Sequence, residues 1–266
     1  MCDRCGCGLT PEPDERAGLP SPDRSVIDVH ARLLAANDRA ARHNRTHFDE
    51  HGVLAVNLMS APGSGKTALL EATADALGRE LRLGVLVGDL ATDNDAARIR
   101  AHGIPALQIT TGGACHLDAH MIHDALHDMA LGALDILFIE NVGNLVCPAS
   151  FDLGQHRNIA LLSFTEGDDK PAKYPVLFRK ADLVLLTKSD LAPFLGDFDA
   201  ARAQQSVRAL ANAAPMHELS ARKGTNLQPW LDWLRTELAS VRSQRHAHSH
   251  SHSHRHHHDH GESVAR

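Results

Sequence analysis

Aromatic side chains are scarce in this chain, at 4% of 266 residues with one Tyr and two Trp. Hydrophobic residues still reach 43%, enough for a core that must be mostly aliphatic. Long apolar runs are missing too. None approaches the roughly 20 residues that a membrane-crossing helix needs. Positive charge is not in surplus: the formal net charge is -6 and no basic cluster stands out, which argues against a nucleic-acid partner. The first residues, MCDRCGCGLTPEPDE, lack the basic and apolar regions of a signal peptide, so a cytoplasmic protein is expected. Cysteines number five, an odd count that in a reducing compartment favours metal binding over disulfides. Against these shortages stands one excess, 20 histidines.

The chain is organised around VLAVNLMSAPGSGKTALL, residues 53–70. An apolar run closes in a Gly-rich loop and reopens into an apolar-periodic segment, the pattern of strand, phosphate loop and helix. Gly63, Ser64 and Gly65 let backbone N–H groups converge on phosphate oxygens, and Lys66 reaches the terminal phosphates. The Thr67 hydroxyl can ligate Mg²⁺, and Ala68 continues the helix whose dipole faces the anion. The first glycine of the G-x-x-x-x-G-K-[ST] pattern is Ser60 here.

Further strands are expected at 83–88, 106–110, 134–139, 158–165 and 182–187, each an aliphatic run suited to a buried parallel sheet. In such a sheet the carboxyl ends share one edge, where ligands bind. Asp89 and Glu140 close two of these strands, placed to hold a Mg²⁺ water shell or orient an attacking water. Asp93 and Asp95 read instead as helix-start acids. Gly143, three residues after Glu140, is positioned to offer its N–H to a γ-phosphate. Thr187-Lys188-Ser189-Asp190 resembles the guanine-reading N-K-x-D motif, with Asp190 accepting from N1–H and N2–H₂. Ser220 and Ala221 resemble the loop whose backbone touches the guanine O6.

Candidate metal ligands fall in three places. Cys2, Cys5 and Cys7 can wrap one soft ion. Three sulfurs do not make a four-Cys zinc site, but if Met1 is removed the amine of Cys2 completes a set that suits square-planar Ni(II). Cys115 and His116 are adjacent, and a helix expected to start near Cys115 sets His116, His120 and roughly His123 on one face. A lone Cys is often just a small buried residue. Here Cys147 supplies a second thiol on the loop that begins at Glu140, so a Cys115–His116–Cys147 site would be covalently tied to the γ-phosphate sensor. The third place is HAHSHSHSHRHHHDH at 246–260, which cannot bury a core and suits weak multi-ion binding. Residues 25–50 form a helix whose Asp28, His30, His43 and His47 read as a solvated face without chemistry. A last amphipathic helix is expected at about 226–242.

MCDRCGC, NLMSAPGSGKT, GDLATDNDAARI, TGGACHLDAHM, FIENVGNLVCPA, EGDDKPAKYP and TKSDL together resemble the HypB family, GTPases that help insert nickel into [NiFe]-hydrogenases. The likeness runs from about Leu34 to Leu238, plus the N-terminal tip. It implies an α/β P-loop NTPase domain with a mostly parallel sheet flanked by helices, spanning 25–242. Residues 1–24 and 243–266 would be disordered metal-binding tails. It further implies GTP/GDP and Mg²⁺ at the loop, and Ni²⁺ or Zn²⁺ at the thiol sites. The N-terminal nickel-site role falls on Cys2, Cys5 and Cys7. The nucleotide-coupled role falls on Cys115, His116 and Cys147, with His120 beside them. A GTP-dependent homodimer, a HypA-type metallochaperone and the hydrogenase large-subunit precursor are the implied partners. Thr187 for Asn and a C-terminal position for the His-rich segment depart from the family pattern. The alternatives are a nickel or zinc storage protein and a urease-accessory-type GTPase, the latter disfavoured by the cysteine tip.

Overall fold

A computed structural model describes residues 24–89 and 93–252, with side chains from Arg32 to Arg245. Seven strands form one sheet: β1 (Leu54–Ser60), β2 (Leu83–Asp89), β3 (Ala106–Thr110), β4 (Ile136–Glu140), β5 (Arg157–Ser163), β6 (Leu183–Thr187) and β7 (Met216–Leu219). The order is β3-β2-β4-β1-β5-β6-β7, and every pairing is parallel. Among the described residues eight α-helices accompany them: α1 (Arg24–His51), α2 (Lys66–Leu77), α3 (Asn94–Ala101), α4 (Ala119–Leu126), α5 (Lys170–Lys173), α6 (Pro175–Lys180), α7 (Ala200–Ala209) and α8 (Gln228–His252).

The strands are near-continuous aliphatic runs because both faces are covered. Along β1 the side chains alternate: Leu54, Val56 and Leu58 pack with the α2, α3 and α8 side, whereas Ala55 joins the opposite layer with α1 and α4. A third cluster, with Leu162, Val184, Leu177 and Val207, covers the β5–β6 half beneath α6 and α7. The few aromatics go where they fill most. Trp230 is fully buried and donates its indole N–H to Thr73 Oγ1 at 2.9 Å.

All six expected strands are present within one or two residues at most ends. β7 and α7, not anticipated, are short or weakly apolar. α4 begins at Ala119 rather than near Cys115, because Asp118 caps it by accepting from Met121 N. α8 runs past the expected end near 242 as far as His252, since no Gly or Pro interrupts it before Gly261. Cys2, Cys5, Cys7, Asp28, His30 and the whole His-rich segment lie outside the residues whose side chains are described. Among the described residues, no helix is long and apolar enough to cross a membrane.

Candidate functional site: a nucleotide cleft joined to a thiol–imidazole cluster

β1 lies between β4 and β5, so the loop after β1 is flanked by the loops that follow both. That loop holds Gly63 and Gly65 at φ +74° and +98°, left-handed values that a residue with a Cβ rarely adopts. α2 starts immediately after, so its unpaired N–H groups face the loop. Ser60 is the last residue of β1 and fully buried. Its hydroxyl accepts from Lys66 Nζ at 2.9 Å and donates to Ala61 O at 2.7 Å. The residue that departs from the glycine pattern thus holds the end of the Lys66 side chain.

Thr67 Oγ1 donates to Glu140 Oε1 at 2.8 Å, tying the loop to the end of β4. Glu140 is 4% exposed, and its other oxygen, Oε2, is buried with no hydrogen-bond partner. Burial pushes its carboxyl up to about 7, against the opposing pull of Lys66 and the Thr67 bond. Lys66 is pushed down by the same loss of solvent. A recess here is lined by Gly63, Lys66, Thr67, Asp89, Glu140 and Gly143, with Asp95 and Arg98 at its side. Hydroxyl and carboxylate oxygens, one of them an orphaned buried acceptor, fit a hard divalent cation such as Mg²⁺. Gly143 packs against the phosphate loop so closely that a Cβ would come within 2.8 Å of Pro62 Cα.

A second recess, sharing Gly65 and Ala68 with the first, is lined by Lys188, Asp190, Ser220 and Ala221. The residues expected to bind nucleotide therefore line one or other of two adjoining recesses. Thr187, standing where the motif has Asn, donates its hydroxyl to Ser64 O at 2.7 Å. It braces the phosphate loop from the base side. Ser64 Oγ in turn donates to Glu166, whose second oxygen is buried without a partner and whose carboxyl is raised by burial. Glu166 was not singled out from the sequence, and Ser60 was marked there only as a departure from the glycine pattern.

Beyond Gly143 the chain turns to Cys147. Its Sγ lies 3.0 Å from Cys115 Sγ, and Cys115 Sγ is 3.7 Å from His116 Nδ1. These three ligand atoms are within 4.8 Å of one another. His116 stacks on Phe151, with ring centroids 3.9 Å apart, and burial lowers its basicity toward the neutral, ligating form. His120 is exposed on α4 and is not in the cluster. His116 precedes α4, so the two do not share a helix face as expected. Two asparagines join the thiol loops: Asn141 Oδ1 accepts from Leu117 N at 3.2 Å, and Asn144 Nδ2 donates to Cys115 O at 3.4 Å. Both flank Gly143 in ENVGN, which was their only signal in the sequence.

A parallel sheet with a lysine-bearing phosphate loop at its central strand defines a P-loop nucleotide-binding domain. The CobW/HypB/UreG nucleotide-binding domain matches residues 54–218. The hydrogenase maturation factor HypB of Escherichia coli K12 is 47% identical over 224 residues, covering 83% of this chain and 77% of that protein. HypB of Azotobacter vinelandii is 46% identical over 241 residues, covering 87% and 79%. Among solved structures, HypB from Helicobacter pylori in complex with nickel superposes with a TM-score of 0.73 at 41% identity, covering 77% of this chain and 96% of that one. HypB from Archaeoglobus fulgidus gives 0.72 at 42% identity, covering 77% and 100%. The chain belongs to the HypB family of hydrogenase maturation factors.

Proposed function

We propose that this chain is a GTP-hydrolysing nickel metallochaperone in which nucleotide state controls nickel delivery during [NiFe]-hydrogenase maturation. One observation carries the reading: Cys115, His116 and Cys147 converge on the loop that begins at Glu140, and Glu140 holds Thr67 of the phosphate loop. The nickel-bound relative supports the choice of cargo.

In this reading Gly63, Ser64, Gly65 and Ala68 cradle the phosphates, and Lys66 leaves Ser60 to meet the charge that builds on the transferring phosphoryl group. Thr67, Asp89 and Glu140 would hold Mg²⁺ directly or through water, and the ion would supply charge neutralisation for the phosphates. Asp190, with Lys188, Ser220 and Ala221, selects guanine. Water cleaves GTP to GDP and phosphate with Asp89 or Glu140 orienting it. Gly143 N–H senses the γ-phosphate, and its loss shifts Asn141 and Asn144, which position both thiols. Nickel is the cargo of that site, and Zn²⁺ competes for the same donors.

The domain would act as a GTP-dependent homodimer in the cytoplasm, with a HypA-type metallochaperone and the hydrogenase large-subunit precursor as partners. Cys2, Cys5 and Cys7 and the C-terminal histidines would add nickel-binding capacity on either side of the 25–242 domain. The test is nickel release. A nickel-loaded chain mixed with GTP and a chromophoric chelator should release one ion in step with phosphate, and Cys147→Ser should lose that phase only. Release that ignores GTP, or persists unchanged in Cys147→Ser, would contradict the proposal.

A further inference from the structure

Among the described residues a second group of three metal-ligating side chains stands apart from the nucleotide cleft and the thiols: His43, His47 and His123. The sequence set His43 and His47 on a solvated face without chemistry. His43 is exposed and His47 half-buried, but α1 packs on α4 so that both rings stand beside His123. The two elements are fixed to each other by buried polar contacts at Ala119, the first residue of α4. Asn44, fully buried, donates to Ala119 O at 2.8 Å and Leu153 O at 3.1 Å. Asn37 accepts from Ala119 N at 2.9 Å and donates to Asp152 O at 2.8 Å. The backbone that presents the histidines is therefore held independently of them.

His43 and His47 are one helical turn apart, with Nε2 atoms 3.1 Å from each other. His123 faces both, its ring centroid 4.9 Å from that of His43 and 6.1 Å from that of His47. One nitrogen from each ring lies within 4.8 Å of the other two. Zn²⁺–N bonds of about 2.0–2.1 Å in a tetrahedron put ligand nitrogens about 3.3 Å apart. The α1 pair is already at that spacing, and a side-chain rotation of His123 completes the set. His123 Nδ1 is buried with no hydrogen-bond partner, an unpaid cost for a polar atom unless something fills it. Burial and the neighbouring His43, His127 and His47 keep His123 toward its neutral form. His127 stands 5.0 Å from His123 on the exposed side.

We infer that His43, His47 and His123 form a second metal site that takes a borderline divalent ion of the Ni²⁺, Cu²⁺ or Zn²⁺ class, bridging α1 to α4. Three imidazoles without thiolate or carboxylate leave a coordination position open to water, so the ion exchanges readily. The site needs neither nucleotide nor the thiols, and it stands or falls separately from the proposed function.

The test is a long-range ¹⁵N–¹H correlation of the imidazoles in the full ¹⁵N-histidine-labelled chain, titrated with ZnCl₂. The ring nitrogens of His43, His47 and His123 should shift together. In His123→Gln the shifts of His43 and His47 should be lost while the C-terminal histidines still respond, with affinity for a GTP analogue unchanged. Should that variant misfold, His43→Gln on the exposed face must silence His123 in the same way. Three rings that stay unshifted at zinc concentrations saturating the C-terminal histidines would overturn the site. So would His43 and His47 shifts that survive the loss of His123.

Discussion

The two edges of the sheet use charge in opposite ways. At the amino-terminal edge, Asp135 precedes β4 and accepts from Arg82 N at 2.7 Å, from Arg82 Nη2 at 2.8 Å and from Arg242. Asp182, before β6, accepts from Asn158 N at 2.7 Å, and His156 pairs with Asp49 at 2.9 Å. At the carboxyl edge, Glu140 and Glu166 each leave one buried oxygen without a hydrogen-bond partner. The first edge satisfies its charges within the chain, and the second keeps binding capacity in reserve. The contrast separates residues that hold the fold from residues that wait for a ligand.

Breaking the reserved edge should have the largest effect on chemistry and the least on stability. Lys66→Ala should lower GTP hydrolysis by about 10³-fold or more, while the thermal midpoint of the nucleotide-free chain does not fall, because a desolvated cation has been removed. A parallel loss of fold would erase the distinction between the edges. Asp135→Asn should do the reverse, costing about 1 kcal/mol in urea unfolding by weakening its bonds to two partly exposed guanidiniums, with nucleotide affinity intact.

The pH dependence sharpens the comparison because the two carboxyls move oppositely. The Arg82 hydrogen bonds hold Asp135 well below the usual carboxylate range despite its burial, so its contribution is complete above the unfolded value near 4 and lost as pH falls below it. Glu140, raised by burial, binds more protons folded than unfolded between about 4.5 and 7. Stability should therefore decline as pH rises through that window. Glu140→Gln should flatten the decline and gain about 1–2 kcal/mol at pH 8. Asp135→Asn should flatten only the acid limb. Unfolding midpoints from pH 3 to pH 8 check both.

Much of the carboxyl edge was legible in the sequence because strand ends and loop motifs are local. G-S-G-K-T, Glu140 with Gly143, and T-K-S-D each sit within a few residues, and parallel topology does the rest. Cys115 and Cys147 met for the same reason, since both follow strands on one edge. What escaped depended on packing between elements distant in sequence. Nothing near His43 or His47 signals His123, which reaches them only because Asn37 and Asn44 lock α1 onto α4. Thr187 read only as a departure from the motif's Asn, whereas its hydroxyl donates to Ser64 O. His120 looked like a partner of His116 on a helix that in fact starts three residues later than His116.

The claim at the centre is that the reserved edge and the thiol cluster are one device. The most direct measurement is the nickel affinity of the Cys115–His116–Cys147 site, taken as the difference between the wild-type chain and Cys147→Ala, with no nucleotide, with GDP and with a non-hydrolysable GTP analogue. Coupling through Glu140, Asn141 and Asn144 predicts dissociation constants that differ between GDP and the analogue by about fivefold or more. One constant shared by all three states would contradict the account.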